Sequence, residues 1–72
     1  MTLSMTPRGS KVSILKIKGK DDTKRFLANL GFVEGEKVSV VSEIDGNMII
    51  NVKDARIALS KSMTNRIIVM EG

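Results

Sequence analysis

Apolar residues recur at every second position in several stretches of this chain, and at helical spacing in one. Across residues 11–18, Val12 and Ile14 alternate with Lys11 and Ser13, and the alternation slips by one residue at Leu15 before Ile17. Period two predicts a strand with one buried face, and the slip predicts a bulge or sharp bend. Gly19 ends that segment. Asp21-Asp22-Thr23 then offers N-cap candidates and first-turn acids. Phe26, Leu27 and Leu30 fall on one helical stripe, and Gly31 stands where a left-handed C-terminal cap belongs. The pattern predicts a short helix with Lys24, Arg25 and Asn29 on its polar face and Phe26 in the core.

Three β segments follow in quick succession. Residues 37–44 carry Val38, Val40 and Ile44, with Val41 on the opposite parity, and residues 48–53 carry Ile50 and Val52. Between them lies Asp45-Gly46-Asn47, and Asp-Gly between two β-patterned runs signals a hairpin because both residues tolerate positive φ. Residues 55–59 make another short strand. Ser60 to Asn65 reads as one helical or 3-10 turn capped by Ser60 or Ser62, and Ile67 to Met70 closes the domain. Pro7 and Gly9 punctuate the chain just before its first patterned segment, so residues 1–6 read as a flexible lead-in and residues 7–72 as one domain. The fold class expected is mainly β: a small, bent, SH3-like barrel of about five short strands, with a helix after the first strand and a helical turn before the last.

Composition narrows what such a barrel can do. The chain has 72 residues and no cysteine, so one aliphatic core must hold it without disulfides or thiolate metal sites. No apolar run approaches the roughly 18 residues that cross a bilayer, which predicts a cytoplasmic protein without direct membrane insertion. The formal charge is +4, and it is uneven: residues 1–25 hold seven bases against two acids. Lys11, Lys16, Lys18, Lys20, Lys24 and Arg25 form a candidate basic face for an acidic partner, whether nucleic acid, an anionic membrane surface or a protein.

The candidate chemistry is sparse. Histidine is absent as well as cysteine, which removes the commonest zinc and iron ligands and the commonest general base. The acids are scattered; Asp21-Asp22 reads as a helix start, and Glu34 and Glu36 flank Gly35 in a turn where only weak surface coordination is offered. The glycines form neither a phosphate loop nor a dinucleotide fingerprint. No catalytic residue, no resident metal and no tightly bound cofactor is expected. What remains is docking through apolar groups near the helix end and the hairpin, with Leu30, Gly31, Phe32, Val33, Gly35, Met48 and Met63 as candidates.

Leu30-Gly31-Phe32-Val33-Glu34-Gly35-Glu36-Lys37-Val38-Ser39-Val40 resembles the Leu-Gly-hydrophobic, x-x-Gly, x-x-Val-x-Val signature of the FeoA family, a module similar to the carboxy-terminal domain of some metal-dependent repressors. Arg56 to Leu59 and Asn65 to Val69 resemble its later strand and closing strand. The resemblance implies a cytoplasmic accessory protein of ferrous iron transport that contacts the cytosolic GTP-binding domain of a membrane iron transporter and is recruited by it to the inner face of the membrane. It also implies a weak association with transition metal. The rival reading is a small basic barrel that binds single-stranded nucleic acid through the lysines of its first third. A third is a peptide-docking relative of the repressor domain.

Overall fold

The alternating segments pair into one sheet. In the computed structural model, which describes residues 1–72, strands β1 (Lys11–Ile17), β2 (Lys37–Ile44), β3 (Asn47–Val52), β4 (Ala55–Ser60) and β5 (Ile67–Glu71) are all antiparallel, in the order β4-β3-β2-β1-β5. Helix α1 (Asp21–Asn29) lies between β1 and β2, and the single turn α2 (Lys61–Thr64) joins β4 to β5. This is the SH3-like arrangement the sequence pattern predicts. The inward residues Val12, Ile14, Val38, Val40, Met48, Ile50, Val52, Leu59, Ile67 and Val69 meet Leu27 and Phe32 in one buried cluster.

The local signals act where the sequence puts them. The pairing of β1 with β5 shifts register between Ile14 and Lys16, so Leu15 is the extra residue of a bulge. Asp45 and Gly46 both have positive φ, +50° and +81°, the conformation a two-residue primed turn requires. The Ser60 hydroxyl accepts the Met63 N–H at 3.3 Å and caps α2.

Three expectations need correction. Residues 1–6 are not a loose lead-in: Leu3 sits in a 3-10 turn and is fully buried in the core. Thr2 bridges to Ile68, the Val69 N–H donates to the Met1 carbonyl at 2.8 Å, and the Ser4 hydroxyl donates to the Asn65 side chain. The open edge of β5 has backbone groups to satisfy, and the lead-in satisfies some of them. Phe26 is not core but half-exposed, because a helix this short turns only the Leu27 side toward the sheet. Finally, α1 starts at Lys20 with no side-chain cap, so Asp21 and Asp22 act as first-turn acids only.

Candidate functional site

The chain leaves α1 through a fully formed C-terminal cap. The Phe32 N–H donates to the Leu27 carbonyl at 2.9 Å and the Gly31 N–H to the Ala28 carbonyl at 3.0 Å, while Gly31 takes φ +105°. These paired bonds define a Schellman motif, and its apolar contact is Phe32 with Leu27 inside the core. A tight turn follows, in which Glu36 N–H donates to Val33 C=O and Gly35 takes φ +87°. Two bonds lock this turn to β1: Gly35 N–H to Ile14 C=O at 2.8 Å, and Ile14 N–H to Glu36 C=O at 3.0 Å. The backbone is thus held on both sides of Val33, whose side chain is 39% exposed.

The result is a depression of about 200 Å³ lined by Ile17, Lys24, Ala28, Phe32, Val33 and Glu34. Ile17, Ala28 and Val33 supply apolar wall, Phe32 lies beneath, and Lys24 and Glu34 bring one charge of each sign to the rim. Lys24 and Ala28 share a face because they are four residues apart on the helix. At about 100° per residue, Phe26 falls on the opposite flank of the buried Leu27 line and does not contribute to this groove.

The docking candidates therefore separate. Phe32 and Met48 are buried and present no surface, and Leu30 and Met63 are half-buried against the core. Gly31 lies under Val52, and Gly35 belongs to the locked turn. Val33 alone among the apolar candidates is exposed. The hairpin does not adjoin the helix corner: Lys37 at one end of β2 follows the corner, whereas Asp45 and Gly46 follow the other end. Met48 pairs with Leu59, toward α2 and Met63, away from Gly31 and Val52 at the far end of β3. Ile17 and Ala28, absent from the docking candidates drawn from the sequence, become neighbours only in the fold; the four-residue spacing could have placed Ala28 beside Lys24, but no local signal ties either to Ile17.

The basic residues separate too. Lys11 and Lys16 stand exposed on β1 with Lys18 just beyond it, while Lys20 is the N-cap of α1 and Lys24 and Arg25 lie within it, where Arg25 approaches Asp22 at 3.9 Å. No three carboxylates gather to hold a metal ion; Glu36 faces Lys53 at 3.9 Å, and Glu43 pairs with Lys61 at 2.7 Å. With neither histidine nor cysteine, the donor set does not fit a resident transition metal.

Residues 1–71 match the family model described as the FeoA domain. No curated protein matches the chain in sequence. Among solved structures, the chain is similar to an iron uptake regulatory protein (FeoA), with 27% identity and a TM-score of 0.92 over 99% of this chain and 95% of that one. It is also similar to Stenotrophomonas maltophilia FeoA complexed with zinc, a procaryotic SH3 domain protein suggested as a bacterial ferrous iron transport activating factor. There the identity is 30% and the TM-score 0.85, over 97% of this chain and 89% of that one. T. acidophilum IdeR shares the fold at 20% identity and a TM-score of 0.89, the whole of this chain matching 34% of that protein.

Proposed function

Because the chain belongs to the FeoA domain family, we propose that it is a non-catalytic accessory protein of ferrous iron transport. In this reading it docks, through the groove between Ile17, Ala28 and Val33, on the cytosolic GTP-binding part of a membrane iron transporter. The observation that carries the docking surface is an apolar wall held outward by a locked turn, rimmed by Lys24 and Glu34. Rigid apolar ground of this kind binds without a large ordering cost, and the paired rim charges set orientation more than affinity.

The relatives' descriptions support the iron transport context: one is called an iron uptake regulatory protein and another is suggested as a ferrous iron transport activating factor. Iron is the transporter's cargo in this account and is not held by this chain's own side chains. No helix is long and apolar enough to cross a membrane, and in this reading the transporter recruits the protein to the inner face of the membrane.

The test is a titration of isotope-labelled protein with the isolated GTP-binding domain, followed by amide resonances. Shifts should cluster at Ile17, Lys24, Ala28, Val33 and Glu34. Saturating domain that leaves those amides unmoved would rule the groove out.

A further inference from the structure

We propose that the outward face of β5, β1 and β2 is a peripheral binding surface for anionic phospholipid membranes, independent of the groove beside α1. Strand pairing assembles this face from residues far apart in sequence. Met70 pairs with Ser13 and Ser13 with Lys37; Ile68 pairs with Lys16; Lys11 stands opposite Ser39. Just past the end of β1 the Lys18 N–H donates to the Arg66 carbonyl at 2.7 Å, which brings Arg66 beside Lys18.

Five cations, Lys11, Lys16, Lys18, Lys37 and Arg66, are thereby gathered and exposed, and none of them is in an ion pair. The acid on these pairing rows, Glu71, stands at the Lys11 end opposite Val12 and so shares the inward parity of that buried residue. Among the cations stand two large apolar side chains in water, Leu15 at 49% exposure and Met70 at 50%. The bulge explains why Leu15 and Lys16 stand outward together: one extra residue in β1 keeps both on the outer side before Ile17 turns back in opposite Ile67. Met1, also half-exposed, adjoins through the bond from Val69.

Lysine and arginine around protruding aliphatic groups match the interfacial region of an anionic bilayer, where headgroup phosphates attract the cations and the apolar tips enter the acyl boundary. A single-stranded nucleic acid fits less well, because such sites stack bases on aromatic rings. Both phenylalanines lie elsewhere, Phe32 in the core and Phe26 on α1.

Co-sedimentation of the full-length chain with vesicles tests the assignment. Binding is expected to vesicles of equal parts phosphatidylglycerol and phosphatidylcholine, to be absent with pure phosphatidylcholine, and to weaken as salt rises. The double variant Lys16→Glu, Lys18→Glu should lower the partition coefficient by about tenfold or more. Leu15→Ser, at an exposed position that leaves the fold intact by its amide spectrum, should lower it by about threefold or more. Ala28→Gln, in the groove and without change of charge, should leave it unchanged. No binding to the anionic vesicles at low salt would overturn the proposal. So would binding indifferent to the Lys16 and Lys18 reversals, or single-stranded DNA outcompeting the vesicles for the same lysines.

Discussion

Gly31 stands at φ +105°, and a Cβ added there would lie 3.2 Å from Cγ2 of Val52. Both the backbone conformation and the close approach exclude a larger residue. Gly31→Ala is expected to destabilise the fold by about 1–3 kcal/mol, measured by urea unfolding. Lys53 shows the converse: it holds φ +55° with a side chain that gains nothing from the left-handed region, and its ion pair with Glu36 at 3.9 Å is loose and solvated at the lysine end. Lys53→Asn is therefore expected to raise the urea midpoint by the equivalent of about 0.5–1 kcal/mol. Phe32, which the sequence offers as a surface candidate, is fully buried. Phe32→Ala should cost about 3–5 kcal/mol. A 72-residue domain has roughly 4–11 kcal/mol in all, so this variant should lose a large fraction of its stability, read as a lowered urea midpoint by circular dichroism.

At the scale of elements, α1 is anchored firmly at its C-terminus and weakly at its start. Gly31 and Phe32 close a Schellman motif, whereas Lys20 holds an extended N-cap conformation, φ −75° and ψ 164°, without a side chain able to accept a hydrogen bond. Lys20→Ser should stabilise the protein by about 0.5–1 kcal/mol, with increased hydrogen-exchange protection at the first turn of α1 as the specific readout. The elements themselves were legible because their signals are local. Alternation marked the strands, Asp45-Gly46 the hairpin, the slip at Leu15 the bulge, and Ser60 the cap of α2. Phe26 was misjudged because helical periodicity identifies a stripe without its width. The short α1 buries Leu27 and leaves Phe26 half in solvent.

At the scale of the whole molecule, less was legible, since neither surface described here is contiguous in sequence. Ile17 meets Ala28 and Val33 only because the turn at Gly35 is bonded to Ile14, and Arg66 meets Lys18 only because β5 pairs with β1. A lone apolar residue gives no period, so Leu3 was unreadable as core. Its complete burial nevertheless ties the N-terminal segment to β5. Leu3→Ala should cost about 2–4 kcal/mol in urea unfolding. The groove and the lysine face involve different residues, which makes the two surfaces separable by mutation. Docking through the groove is decided by calorimetric titration of the transporter's GTP-binding domain with the native chain and with Ala28→Glu, a change at an exposed helix position that leaves the core untouched. Measurable binding by the native chain, weakened about tenfold or more by Ala28→Glu, is the predicted result. Equal affinity for the two proteins, or no heat of binding from the native chain, would contradict it.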